Sequence, residues 1–386
     1  MAITKRVIEA CARNVLETCN LKKGDGILIR GGAHALEFLE SIALECYRSG
    51  ATPTIMVTSD KYTSRVFKEI PASTLETVPK EFVGAMKACD MIISVEDLDN
   101  PLIAADFPLD KIRAMQKARL PMHELLSHPT KGKKWAYVGW PTKAAARSHG
   151  ISYSELEKTI IGGMTISPSV LMRIGKRLDR RFKNASWVHV WDSKGTDFRV
   201  KIEGRSHNID DGIISKADFD AGDRGANLPA GELFFAPHET VGEGTLFCPV
   251  TRERHTDKLV TDILLEFKKG KLLLDKVITS KNRDVLVSAF KDAEKLDKTK
   301  FDPVRTTNLG ELGIGFNPKV KRPFGYILTD EKVTGTVHVA FGLDKPFGGK
   351  SDSTMHWDFV SAPGVNIEVE RTDGRIVQVM AKGKIV

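Results

Sequence analysis

The sequence predicts an α/β protein in two parts. A layered α/β domain with a mostly parallel sheet is expected over residues 1–183, and a β-rich α+β domain over residues 184–386. Helical and β-branched stretches alternate through the first half, and short alternating strands dominate the second. The texture changes after a basic helical segment ending near Lys183. At 386 residues the chain also exceeds the size, about 250–300 residues, at which one core usually divides.

Between Thr4 and Cys19 apolar residues recur at helical spacing (Val7, Ile8, Cys11, Val15, Leu16), so a helix is expected there. Lys22-Lys23-Gly24-Asp25 then forms a turn before the apolar strand GILIRGG. A second helix, Leu36 to Ser49, stops at Gly50 and leads into the β-branched run TPTIMVTS. That completes a βαβ unit, and a parallel sheet follows. The rhythm continues through a helix at Glu81 to Cys89 and the strand Met91 to Val95. It then passes through a helix at Leu109 to Arg119 towards WAYVGWPT. Two further helical stretches, Tyr153 to Ile161 and Val170 to Phe182, close the first domain. From Ser186 onward the strands SWVHVW, TDFRVKI, LFFAP, GTLFCPV, ILLEF, KLLLDKV and GTVHVAF are expected. A final hairpin, NIEVERTDGRIVQVM, turns at Thr372-Asp373-Gly374.

Composition excludes several functions. The 58 Lys and Arg residues are interspersed with 50 Asp and Glu, so the net charge of +8 forms no basic stripe. Nucleic acid is therefore not expected as a partner. No apolar run approaches the roughly 20 residues of a membrane-spanning helix, so no membrane partner is expected. The early charges of MAITKRVIEACARNVLE do not suit a secretion signal, so a soluble, cytoplasmic protein is expected. Five cysteines, Cys11, Cys19, Cys46, Cys89 and Cys248, are odd in number, widely spaced and without a C-x-x-C pair. Neither a disulfide framework nor a thiolate zinc site is suggested.

Cofactor and nucleophile motifs are equally sparse. Gly24, Gly26, Gly31 and Gly32 lack the G-x-G-x-x-G order and read as turn glycines. The segment Asp344 to Ser351 ends like a phosphate-binding loop but lacks its first glycine and contains Pro346. There is no G-x-S-x-G elbow, no Ser-His-Asp arrangement and no evident cysteine nucleophile, which disfavours covalent catalysis.

Carboxylates and imidazoles at strand and turn boundaries of the second half are the remaining candidates, and they are the donors that divalent metals take. In His356-Trp357-Asp358 the imidazole and carboxylate stand two residues apart on an extended segment, hence on one face. His338 lies in the β-branched run TGTVHVAFG beside a glycine-rich loop, Gly342 to Lys350. Glu311, in NLGELGIG, sits among small and apolar residues, where a carboxylate is costly to bury unless a cation or metal accompanies it. Glu232 opens the apolar strand ELFFAP after a Pro-Ala-Gly turn. Taken singly, each has an ordinary explanation as a core histidine or a turn or strand-edge acid. His238-Glu239 is half of an H-E-x-x-H signature, but position 242 is Gly and the segment reads as a strand. This leaves the pair a supporting role behind the ligands.

Together these segments resemble the aminopeptidase T family, also called the aminopeptidase S or PepS family of dinuclear metallopeptidases. In the first half the likeness rests on LKKGDGILIRGG, CYRSGATPTIMV and Trp140-Pro141-Thr142. In the second it rests on GTDFRVKIEGR with DDG, NLPAGELFFAPHE, LGELGIG, VHVAFG and HWDFV. The resemblance implies that Glu232, Glu311, His338, His356 and Asp358 are metal ligands and that residues 184–386 form the catalytic domain. It implies an aminopeptidase that releases N-terminal residues from peptides through a hydroxide held between two divalent ions: zinc, cobalt or manganese. Glu311 would carry the proton to the leaving amine. A homodimer is also implied. One departure stands out: the family tyrosine that follows the histidine is replaced by Leu343-Asp344-Lys345 in a shorter loop, with Lys345 or Lys350 as a substitute. Ring-cleaving dioxygenases of dihydroxypyridines use the same fold, and on that alternative His338, His356 and Asp358 would hold one iron. The additional carboxylates Glu232 and Glu311 favour the two-ion peptidase.

Overall fold

The computed structural model describes residues 3–127, 132–221, 223–254 and 256–386. They form two compact units, Met1–Pro168 with Gly212–Ala230, and Ser169–Asp211 with Gly231–Val386. The chain passes between the units after Pro168, Asp211 and Ala230, whereas the sequence reading draws one boundary at Lys183.

The first unit is built on a five-stranded, wholly parallel sheet. Its order is Thr52–Thr58, Gly26–Gly32, Met91–Val95, Lys134–Val138 and Gly225–Leu228. Met91–Val95 lies at the centre and is buried along nearly its whole length, which is why it reads as a continuous apolar run. The helix Lys5–Cys19 buries Ile8, Cys11 and Val15, and the helix Leu36–Arg48 buries Phe38, Leu39 and Ile42. All five cysteines are free and buried.

Several features of the fold depart from the sequence reading, among them the unanticipated helix Asp60–Glu69 and strand Asn208–Asp210. The helix that begins at Leu109 runs on to Ser127 with Pro121 inside it. Pro121 removes one helical bond, but the buried Met122 and the partly buried Leu125 and Leu126 pack against Leu28, Val83 and Ile92, which holds the last turns in place. The fifth strand, Gly225–Leu228, is short and comes from the second half of the sequence. It pairs with Trp135–Val138, and glycine is required at its start because a Cβ on Gly225 would stand 2.0 Å from the Trp135 ring. In KLLLDKV only Lys271–Leu272 is strand, and the chain then turns, Lys276 N–H donating to the Leu273 carbonyl at 3.0 Å. Its three leucines are consecutive, so no alternating face exists to build on.

The second unit contains two antiparallel sheets. The larger has eight strands running from Lys271–Leu272 at one edge to Lys384–Ile385 at the other. The smaller has five, in the order His356–Val360, Thr336–Gly342, Leu309–Gly315, Glu232–Phe235 and Asn208–Asp210. One face of the smaller sheet is aromatic and aliphatic. Phe290, from the helix Arg283–Asp297, meets Trp357, Phe359 and Phe341 there at ring distances of 5.8, 6.3 and 6.4 Å.

The last residue of that helix anchors the approach to His356. Asp297 is buried and accepts hydrogen bonds from Thr306 Oγ1 (2.6 Å), Ser353 Oγ (2.5 Å), Thr354 Oγ1 (2.7 Å) and Thr354 N–H (2.8 Å). Burial alone would raise its pKa, but the bonds from Ser353, Thr306 and Thr354 outweigh burial and hold it below the ordinary aspartate value. The folded carboxylate is thus the favoured form, so its stabilisation is present above the ordinary pKa, about 4, and is lost as pH falls below it. Asp297→Asn should cost about 1.5–3 kcal/mol on the scale of charged hydrogen bonds and flatten the acid limb of the stability curve, as measured by denaturant unfolding between pH 3 and 7. Phe290→Ala should cost about 3–5 kcal/mol in the same assay.

Candidate metal centre

Alternation along extended strands assigns the polar residues of the smaller sheet to the face opposite its aromatic core. Glu311, Gly313 and Gly315 follow one another on one strand, His338, Ala340 and Gly342 on the next, and His356 and Asp358 on the third. In the observed register Gly315 pairs with Glu232, Gly313 with His338 and Gly342 with His356, while Ala340 lies between Glu311 and Asp358. Directly paired Cβ atoms stand about 4.5–5.5 Å apart, so partners no larger than a methyl group leave room for five polar side chains to converge. The closest approach is at Gly313, where a Cβ would stand 1.9 Å from His338 Nε2. A register shift between Leu309 and Glu311 marks an irregularity of the kind that re-aims side chains beside active sites.

The five side chains singled out in the sequence all meet on this face. Glu311 Oε1 accepts from His338 Nε2 at 3.1 Å, and Glu232 Oε2 lies 3.4 Å from the same nitrogen. His356 Nε2 lies 3.5 Å from Glu311 Oε2 and 3.4 Å from Asp358 Oδ1. Two donor groups result, Glu232–Glu311–His338 and Glu311–His356–Asp358, with Glu311 common to both. Within each, the donor atoms lie within 4.8 Å of one another. His338 is fully buried, Glu232, Glu311 and Asp358 nearly so, and His356 half-buried. His356 Nδ1 donates to the Leu343 carbonyl at 2.7 Å, which sets the tautomer and turns Nε2 into the site.

Charge is concentrated here. Burial alone would strip the proton from His338, but the hydrogen bond to Glu311 and the charges of Glu232, Glu311 and Glu331 lift it to about 9. His356 rises to about 10, burial being outweighed by Asp358, Glu311 and the Leu343 carbonyl. Burial pushes Asp358 up, yet His356 and His338 hold it well below the carboxylate range. Glu311 is raised, first by burial and then by Asp358. The carboxylates therefore demand positive charge, which protons on the imidazoles or divalent cations can supply.

Three charged residues beside these donors do not stand out in the sequence. Lys332 is fully buried; its ammonium donates to Glu232 Oε1 and lies 3.2 Å from Glu331 Oε2 and 3.4 Å from Asp210 Oδ2. Glu331 is pushed up to about 8 by burial and by Asp358 and Glu232, against the pull of Lys332. In DEKVTG both Glu331 and Lys332 have the local pattern of an exposed turn, and no signal within the segment separates them from one. Asp210 pairs with Glu232 across the sheet edge, and its position in the D-D-G motif is the only hint it carries.

The neighbouring loop is held from below. Arg205 pairs with Glu239 at 2.8 Å and donates to the Gly348 carbonyl at 3.1 Å, and Glu239 accepts the Lys350 main-chain N–H at 2.8 Å. Glu239 thus braces the loop Gly342 to Lys350, and His238 instead bonds the Glu203 carbonyl at 2.9 Å. Lys345, expected as one substitute for the family tyrosine, is exposed and pairs with Asp352 at 2.6 Å. Among the described residues, the lysine in contact with a donor is Lys332.

The residues fit a divalent metal. Glu232 Oε2 and Asp358 Oδ1 are buried without a hydrogen-bond partner, a costly state that a coordinated cation relieves. Carboxylate oxygens with imidazole nitrogens suit zinc and its borderline neighbours. A metal-dependent hydrolase is the class that this fold and donor set define. Residues 5–385 match the description of the thermophilic metalloprotease (M29) family, and the chain belongs to that family; it is a metal-dependent peptidase. Among solved structures it is similar to wild-type AmpT from Thermus thermophilus, at 20% identity and a TM-score of 0.78, covering 99% of each chain. It is also similar to 2,5-dihydroxypyridine dioxygenase from Pseudomonas putida KT2440, at 14% identity and a TM-score of 0.57, covering 100% of this chain and 98% of the other. No curated protein matches it significantly.

Imidazole must be neutral to ligate. With His338 lifted to about 9 and His356 to about 10, loading at pH 7 displaces protons. Cobalt(II) binding, followed calorimetrically in buffers of different ionisation enthalpy, should release protons, and affinity should rise about tenfold per pH unit for each proton displaced. Gly313→Ala should push His338 aside and weaken cobalt binding at least about tenfold, on the scale of a disturbed ligand environment.

Proposed function

We propose that the chain is an aminopeptidase that releases N-terminal amino acids from peptides with two divalent ions, zinc, cobalt or manganese, one in each donor group. The observation that carries this reading is the sharing of Glu311 between two groups of buried donors. Bound divalent cations supply a polarised carbonyl and a water of lowered pKa. The protein's part is to hold the donors rigidly and to move the proton. On this reading Glu311 also takes a proton from the attacking water and passes it to the leaving amine. Release of N-terminal residues is supported by the likeness of the donor motifs to the aminopeptidase T family.

An oxygenase with one iron on His338, His356 and Asp358 is the less favoured reading, because His338 falls in one donor group while His356 and Asp358 fall in the other. The proposal extends to a cytoplasmic homodimer acting on peptides, the dimer resting on the family resemblance. Among the described residues no helix is long and apolar enough to cross a membrane.

Glu311→Gln should preserve the fold and reduce aminoacyl-amide hydrolysis by about 10²–10⁴-fold, the range of general acid–base catalysis. Metal analysis of the variant separates its roles: bound metal with lost turnover supports the proton role, and lost metal supports the ligand role alone. Oxygen uptake with one iron per chain and no amide cleavage would overturn the peptidase reading.

A further inference from the structure

Lys332 divides the two oxygens of Glu232. Its fully buried ammonium holds Oε1, while Oε2, buried and without a hydrogen bond, is aimed at His338 Nε2 from 3.4 Å. Glu232 can therefore offer a cation one oxygen only, as long as Lys332 keeps the other. The ammonium also places a fixed positive charge one carboxylate away from the Glu232–Glu311–His338 group. Glu331 and Asp210, at 3.2 and 3.4 Å, balance that charge from their own side.

Among the described residues no lysine or arginine contacts a donor atom of the Glu311–His356–Asp358 group, although the charge of Arg254 reaches Asp358 from a distance and helps to hold its carboxyl low. The nearby Arg254 donates to the His356 main-chain carbonyl at 2.6 Å and leaves the imidazole to Leu343. Like charges repel strongly where water is excluded, so the two groups, alike in donor number, are unlike in electrostatic environment.

We propose that Lys332 is a positioning residue that makes the two groups unequal: the Glu311–His356–Asp358 group takes a divalent cation first, and the Glu232–Glu311–His338 group takes the second more weakly. The inference rests on the two-ion reading above. It identifies the second ion as the exchangeable one, its retention set by a lysine that is not itself a ligand.

The test is a cobalt(II) titration of the full chain, followed by visible absorption and by metal analysis after dialysis. The native protein should fill in two steps at least tenfold apart. Lys332→Met, which keeps the unbranched side chain to within one atom and removes the charge, should tighten the weaker step at least tenfold and leave the tighter step within threefold. Lys332→Arg should restore the separation, which a merely structural role for the side chain would not do. Glu232→Gln should abolish the weaker step alone, and Asp358→Asn the tighter one. These two variants leave Lys332 in place, so the assignment stays testable even if Lys332→Met fails to fold. Equal steps in the native protein, or a weaker step unmoved in a folded Lys332→Met, would overturn the proposal and leave the two-ion reading intact. Absence of cobalt binding altogether would overturn both.

Discussion

Five ionisable side chains share one face of a five-stranded sheet, and the arrangement of the second unit follows from the need to make that tolerable. Water is largely excluded from Glu232, Glu311, His338 and Asp358, so their charges interact more strongly than they would in solvent. The sheet meets this in two ways. It sets glycine or alanine beside the donors in the register, so that the side chains fit without displacing the strands. It also backs them with a packed aromatic face around Phe290, Phe341, Trp357 and Phe359, which fixes the strands that carry them. Rigidity on one face is what allows a precise polar constellation on the other.

The loops around the site are fixed by separate buried charges. Asp297 ties the residues just before His356 to the end of a helix, and the Arg205–Glu239 pair braces the loop that leaves the His338 strand. Neither pair contributes a donor. Both act on the segments that position His356, whose imidazole is oriented by a carbonyl of that same loop, Leu343.

Four of the five donors sit in short segments with a period of two, E-x-G-x-G, H-x-A-x-G and H-x-D, and Glu232 opens the apolar strand ELFF; singly each has an ordinary explanation, and the order of the segments, shared with the aminopeptidase T family, made the set legible. Large apolar residues occupy the intervening positions, which assigns the small and polar residues to one face. The helices Lys5–Cys19 and Leu36–Arg48 were legible because their buried residues recur at helical spacing, and the strands Gly26–Gly32 and Met91–Val95 because each is a short apolar run; the helix Asp60–Glu69, which buries only Phe67, was not. Lys332 was not legible. The carboxylate that receives its buried ammonium, Glu232, is a hundred positions away in the chain, and nothing in DEKVTG distinguishes Lys332 from a lysine in water. The turn within KLLLDKV and the continuation of a helix past Pro121 escaped for the complementary reason: tertiary packing overrode the local pattern.

The strand Gly225–Leu228 carries a consequence for biosynthesis. A ribosome delivers the first four strands of the parallel sheet long before it delivers the fifth, and by then the opening strands of the other unit have already emerged. Until residue 228 appears, the Lys134–Val138 strand presents an unpaired edge and the Trp135 ring lacks the glycine it packs against. The nascent amino-terminal unit therefore cannot mature in simple vectorial order. Its vulnerable interval, open to edge-to-edge association and to capture by chaperones, lasts as long as translation takes to bring that short segment home.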